Sequence, residues 1–408
     1  MKEMGIGRPR GREHTRQLAL LLAFSCFGYL LYHTLDGGTL LAANGCDSYS
    51  LQAQNWLQGS LSIRDGEAYP WLELAIFEGR YYLSFPPLPT LFVLPFVWLG
   101  GGPAPANLLV ALYALATLAA VYGCFCRLGH APEICAFWAC AFTFATNLLE
   151  ISRSGGVWYQ AQALNLALCA LAAERFAAKR RSACLLLFAL AVGCRPFSAV
   201  YLGLALLLFW RQDKGRPGRA VSFWKSVAPG LAAAALVAAA LTTFNFVRFG
   251  NPLEFGHSYL PEFTRSEKGQ FSLSYLPGNL LQLLRPVTLG AGLALEFPQF
   301  NGFLFFAANP IFLIWFARLL RDKKEGRDVT AGRAAAAAFL LILLLLCAHR
   351  TLGGWQFGAR YTLDLLPALL LYFCAAPPGR PRRWERCCCL FGLMLNLFGM
   401  AWMLLQGR

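Results

Sequence analysis

The chain has 408 residues, 57% of them hydrophobic and 14% charged, with a mean hydropathy of +0.48. A soluble domain carries roughly 25% charged residues, so this chain lacks the polar side chains to cover a water-soluble fold. The net charge of +15 does not point to nucleic acid, because the basic residues form short clusters between apolar runs and none is interleaved with stacking aromatics.

Apolar runs of about 20 residues recur, the length that crosses a hydrocarbon core of about 30 Å. The expected class is an all-α polytopic membrane protein of about 10 to 12 transmembrane helices, a single domain over 1–408. A basic segment (Lys2, Arg8, Arg10, Arg12, Arg16) precedes the first run, 17–35. No small-residue cleavage site follows closely, Leu41-Ala42-Ala43 being a weak candidate. The run therefore reads as an uncleaved first helix with a cytoplasmic N-terminus. The stretch 88–99 is short and Pro-rich, and either spans or only dips in. Runs follow at 104–125, 134–149 and 158–178. The long run 183–210 is interrupted at Gly193-Cys194-Arg195-Pro196, which reads as two short tilted pieces with Arg195-Pro196 at their apex. Further runs lie at 221–246, 302–320, 334–348, 363–376 and 387–405.

Basic loops at 211–219, 318–333 and 377–386 read as cytoplasmic. That places 36–86, 247–300 and 349–362 outside. The 14 cysteines lie mostly within apolar runs, where they act as small hydrophobes. No zinc spacing and no disulfide framework is expected. The Ala-, Leu-, Arg- and Gly-rich composition suits a bacterial chain of the inner membrane.

The unusual polar chemistry gathers in the outer segments. In the first, Asp36, Asp47, Asp65, Glu67, Glu73 and Glu78 face only Arg64 and Arg80. Asp47 opens the amphipathic stretch DSYSLQAQNWLQG, which reads as a helix lying on the membrane surface with Trp56 at headgroup depth. Asp47 is then either an N-cap or a carboxylate poised as a base. Glu73 is a second carboxylate at the site or a solvated loop charge. Arg80 suits a lipid phosphate through its planar fork, or simply snorkels. Tyr81 and Tyr82 follow it as an aromatic pair. Arg195, a charge inside an apolar run, reads as functional. Glu254 and His257 lie three apart at a glycine turn, as metal ligands, a base, or merely exposed groups. Arg360, followed by Tyr361, meets a donor phosphate or pairs with Asp364 one turn on. Arg153 and Glu150 read as a local ion pair. The segment 271–297 reads as an interfacial element closing over the site.

Three stretches together carry a resemblance. An Asp just beyond the first helix, an amphipathic stretch and then GRYYLSFPPLPTLFVLPF resemble the first outer loop of the GT-C membrane glycosyltransferases. Within these the chain is similar to bacterial relatives of protein O-mannosyltransferases and of the lipid A aminoarabinose transferase. The stretch NFVRFGNPLEFG from Asn245 is similar to an N-x-x-R-F-G-x-P element of that superfamily. GWQFGARY from Gly354, followed by Leu366-Pro367, is similar to its late W-x-x-G-x-R-Y…P element.

The resemblance implies a GT-C fold with a large first extracytoplasmic loop carrying interfacial helices. It implies inverting transfer of a hexosyl- or pentosyl-type sugar from a polyprenyl-phosphate donor, with Asp47 as base. The acceptor is a lipid, a glycan or a protein, and membrane lipids are the remaining partners. Glu73, Arg80, Tyr81, Tyr82, Arg195, Glu254, His257, Arg360 and Tyr361 are the candidate substrate-binding residues. Family members often carry Asp-Glu at the loop start, whereas Ser48 follows Asp47 here. That leaves a divalent metal as an open cofactor, with Glu254 and His257 its candidate ligands. Asp47 is further expected to share one cavity with the arginines of two distant loops. The competing class is a transporter or lipid flippase without transferase activity, which predicts inverted repeats and broken helices at mid-membrane.

Overall fold

Apolar side chains stand outward along the first helix, α1 (Pro9–Leu35): Phe24 is 78% and Phe27 62% exposed. A surface of this kind requires lipid. The computed structural model describes residues 9–406 except Arg216 and Asp328. Lys2 and Arg8 of the basic N-terminal cluster lie outside the described residues.

After α1 the chain forms α2 (Ser48–Leu57) and a hairpin of β1 (Leu74–Phe77) and β2 (Arg80–Leu83), then α3 (Leu88–Gly100). The hairpin turns at Glu78 and Gly79, both at positive φ, the geometry of a tight two-residue turn matched to strand twist. Its register pairs Ala75 with Tyr82 and Phe77 with Arg80. This small antiparallel piece is absent from an all-helical expectation. Strand propensity in LAIF and RYYL is overt only once Glu78-Gly79 is read as a turn.

The bundle itself is α4 (Ala106–Arg127), α5 (Pro132–Thr143) with α6 (Asn147–Ile151), α7 (Val157–Ala177), α8 (Arg181–Val192), α9 (Ala199–Gln212) and α10 (Arg219–Phe249). The outer segment between α10 and the later helices carries α11 (Pro261–Thr264), α12 (Leu276–Leu283) and a second short hairpin, β3 (Thr288–Leu289) with β4 (Leu295–Glu296). Then come α13 (Phe305–Ala308), α14 (Ile311–Lys324), α15 (Thr330–Ala348), α16 (Leu366–Ala375) and α17 (Arg383–Leu405). Among the described residues five helices are long and apolar enough to cross a bilayer by length and composition, namely α1 from Gly11, α4, α10, α15 and α17. The chain is an integral membrane protein.

Main-chain hydrogen bonds gather the outer segments on one face. Val157 N donates to Cys46 O, Leu88 N to Gly193 O, Arg350 N to Gln270 O and Asn301 N to Gly354 O. Both ends of α3 stay on that face, since Thr90 Oγ1 bonds Gln52 of α2 and Ala104 N bonds Ser50 Oγ. α3 therefore lies alongside α2. α2 is not a surface helix. Tyr49, Ser50, Gln52 and Ala53 are all buried, because α3 and the outer loops cover it. The run 183–210 forms two short helices, α8 and α9, meeting at the Arg195-Pro196 apex. Pro196 breaks the ladder there.

At the opposite ends charges are paired, as low dielectric demands. Arg181 bonds Asp213 and Arg318 bonds Glu385, at 2.7 and 2.8 Å. A knot of asparagines ties the late helices to α6. Asn147 donates to Phe357 O and Asn396 Oδ1, and accepts from Asn309 Nδ2 and Ala359 N. Gly358 packs directly on the Asn147 side chain at φ +88°, so only glycine fits. The knot fixes the loop that carries Arg360 and Tyr361.

Candidate functional site

The first turns of α7 are where the outer loops meet. Trp158 Nε1 donates to Glu73 Oε2 at 2.7 Å. Gln160 Nε2 donates to Asp47 Oδ1 at 2.7 Å. Gln162 Oε1 accepts from Arg360 Nη1 at 3.0 Å. Three residues spaced i, i+2, i+4 thus hold three different candidate groups. Sequence inspection passes over them because 158–178 reads as one apolar run. The signal present was two glutamines at the head of a span.

Asp47 is the N-cap of α2. Its Oδ1 accepts Ser50 N at 3.1 Å, and Ser50 Oγ meets its Oδ2. It is buried; burial raises its pKa, partly offset by those bonds. It lines neither of the cavities described next. Arg360 is also spent: Nε and Nη2 both donate to Gly353 O, and its main chain bonds Gln356 and Gln162. Asp364, offered by the sequence as its partner, instead binds Arg195. Arg153 and Glu150 do form the local pair, at 3.2 Å.

Two cavities adjoin on this face. The first, about 350 Å³, is lined by Arg195, His257, His349, Glu254, Tyr361 and apolar side chains including Phe85, Phe197, Phe271 and Leu346. Arg195 Nε and Nη2 donate to one oxygen of Asp364, at 2.9 and 2.7 Å. Its guanidinium and that of Arg360 each lie 4.8 Å from the centre of the Tyr361 ring. The rings of His257 and His349 are 5.7 Å apart. Burial, the facing His349 and then the Arg195 charge pull His257 down to about 3. Burial, then Arg195, pulls His349 down to about 4. Both are therefore neutral imidazoles at pH 7. His349 Nδ1 lies 2.8 Å from Thr351 O and 3.2 Å from Thr351 N, which fixes the ring against that loop. Phe271, from the segment expected to close over the site, does line this cavity; the same segment goes on to form α12, pinned when Asn279 donates to Cys347 O and His349 O, and the β3–β4 hairpin.

The second cavity, about 420 Å³, is lined by Glu67, Tyr69, Glu73, Tyr81, Pro261 and Glu262. Gly66 lies flat against the Tyr81 ring. One Glu73 oxygen is taken by Trp158. Burial raises the Glu73 pKa, and Glu262 adds to the rise. The wall between the cavities is thin. Ser84 lines the first and its Oγ donates to Glu73 O at 2.8 Å. In α11, Glu262 faces the second, while Phe263 stacks on His257 and His349.

Arg80 and Tyr82 stand apart from both. Arg80 is exposed on the hairpin. Tyr82 packs on Phe249, centroids 5.2 Å apart. The NFVRFG stretch explains itself structurally, since Arg248 donates to Leu83 O and Asn245 Oδ1 and fastens the hairpin to the end of α10. Glu254 spends Oε1 on Gly256 N. Among the described residues no group of three His, Cys, Asp or Glu converges to hold a metal, so Glu254 and His257 gain no third ligand.

The crystal structure of ArnT from Cupriavidus metallidurans bound to undecaprenyl phosphate matches 95% of this chain at TM-score 0.53 and 16% identity. This is a GT-C fold. The chain spans 63% of the length of that ArnT chain. Apo ArnT from the same organism matches at TM-score 0.49 and 16% identity, over 95% of this chain and 63% of its own. The apo oligosaccharyltransferase of Archaeoglobus fulgidus matches at 0.46 and 12% identity, over 96% of this chain and 55% of its own. No family model and no curated protein matches the sequence. In the GT-C fold the Arg195 and Glu73 cavities both lie on the face of the outer loops.

Proposed function

We propose that the chain is a glycosyltransferase that moves a sugar from a polyprenyl-phosphate donor to an acceptor on the extracytoplasmic face of a bacterial inner membrane. The observation that carries this reading is the pairing of the two cavities. One presents a guanidinium among neutral imidazoles and apolar walls; the other presents three carboxylates, Glu67, Glu73 and Glu262, beside Tyr69 and Tyr81. Undecaprenyl phosphate bound to a protein of the same fold supports the donor class.

The chemistry needs both compartments. The leaving group is a lipid phosphate, whose charge calls for a fixed cation; Arg195 supplies it, oriented by Asp364. Leu346, Phe197 and Phe271 suit the first isoprene units. The acceptor hydroxyl needs a base. Glu73 has one oxygen held by Trp158 and lines the second cavity, so it is the carboxylate best placed to take that proton. Asp47, with both oxygens engaged, positions α2 against α7. The hydroxyl oxygen attacks the anomeric carbon as the bond to phosphate breaks, and one displacement inverts the centre, by the logic of inverting hydrolases.

The test is transfer from a radiolabelled polyprenyl-phosphate sugar by purified protein in liposomes, comparing Glu73→Gln with Asp47→Asn. Product lost in the first and kept in the second supports the assignment of roles. Loss in Asp47→Asn alone returns the base to Asp47. Lipid flipping without product from any donor defeats the transferase reading.

A further inference from the structure

A recess of about 720 Å³ opens on the face opposite the two cavities, between the ends of α7, α8, α9 and α10. It is lined by Lys179, Arg180, Arg181, Ser182, Ser222 and Ser226. Arg181 is already neutralised: Nη1 and Nη2 each donate to Asp213 at 2.7 Å, and Nη1 also to Ser226 Oγ at 2.8 Å. That network ties α8 to α9 and α10 and forms the floor. Lys179 and Arg180 at the rim are exposed and meet no carboxylate among the described residues. Lys179 is held at φ +59°, an uncommon conformation for a side-chain-bearing residue. It is fixed there because Lys179 N bonds Phe176 O and Arg180 N bonds Arg175 O.

Two helices, the short α8 and the long α10, also begin at the recess. Ser182 is in the first turn of α8 and Ser222 in that of α10, and neither helix has a side-chain cap. Their first-turn N–H groups add to the positive potential. Gly230 packs against Ser182, which brings α10 close to α8. The depth is set by aromatics: Arg219 lies 3.8 Å over Trp210, and Trp224 is exposed one turn away, as in an interfacial belt.

We infer that this recess binds the phosphodiester headgroup of an anionic membrane lipid. A cationic notch between helix ends at headgroup depth suits a phosphate whose tails remain in the bilayer. Val221 and Trp224, exposed on α10, offer the apolar flank for those tails. The ligand is distinct from the donor lipid, whose phosphate is assigned to the other face.

The experiment is native mass spectrometry of the full chain titrated with phosphatidylglycerol, phosphatidylcholine or inorganic phosphate. Phosphatidylglycerol is expected to bind about tenfold more tightly than phosphatidylcholine. Lys179→Glu/Arg180→Glu should bring the two to parity, while Arg383→Glu/Arg386→Glu, equally basic but outside the recess, should not. Ser222→Asp, an exposed position, gives the same reading if the double variant does not fold. Equal binding of the two lipids, or equal loss in the control pair, overturns the inference. Inorganic phosphate that binds as tightly as phosphatidylglycerol makes it a soluble-anion site and overturns the lipid assignment.

Discussion

Arg195 and Asp364 meet across the outer end of the bundle, two guanidinium nitrogens on one carboxylate oxygen. The second Asp364 oxygen is buried without a partner. The pair is mostly shielded from water, with side-chain exposures of 16% and 4%, so it orients the guanidinium toward the cavity. Arg195→Lys keeps the charge and loses the fork. It should lower transfer by about 10²–10³-fold, the usual effect of removing one donor to a developing anion. Steady-state rates with labelled donor check this. A rate near wild type removes Arg195 from the leaving-group site.

Removing the partner instead leaves a shielded cation alone. Asp364→Ala should destabilise the protein by about 3–5 kcal/mol, seen as a lower melting temperature in detergent. An unchanged melt shows that water, rather than Asp364, solvates Arg195.

With Glu73 as the proposed base, the reaction should carry its pH dependence. Its folded pKa lies above the ordinary 4.5 because of burial and Glu262. A base must be ionised, so activity should rise with pH through a limb centred above 4.5. Glu73→Gln should remove that limb and lower the rate by about 10²–10⁴-fold. A limb that persists in the variant belongs to another group.

His257 and His349 set the pH dependence of stability. An unfolded imidazole titrates near 6.5, whereas these are held near 3 and 4. Between those values the unfolded chain binds more protons, so stability falls as pH drops from about 6.5 toward 4. Asp47 and Glu73, raised in the fold, act oppositely: their contribution is lost as pH rises. The difference between wild type and His257→Asn/His349→Asn therefore isolates the imidazoles. Thermal melts across this range should diverge; parallel curves contradict the low folded values.

Much of this site was legible before any fold was known. Arg195 beside Pro196 stood out because a charge within an apolar run is costly unless used. The spacing of the lysine and arginine clusters also set the three polar segments together on one side of the apolar runs, and they do meet on one face. Partners were not legible. Hydrophobic period tells which face a residue takes, not which residue 169 positions away it meets. For that reason the sequence offers Asp364 only its neighbour Arg360 as a partner, whereas Arg360 bonds Gln162 and Gly353. His349 beside Arg350, and Glu262 in the single turn of α11, carried no periodic signal at all.

The asparagine knot has a consequence for the order of assembly. Asn147 of α6 closes on Asn396, which follows it by 249 residues, and on the backbone beside Gly358. Asn147 can hold the loop bearing Tyr361 through Phe357 O and Ala359 N as soon as that loop is made. Asn396 arrives later with α17 and closes the remaining bond to the same amide, so the polar tie is complete only when the chain is nearly finished.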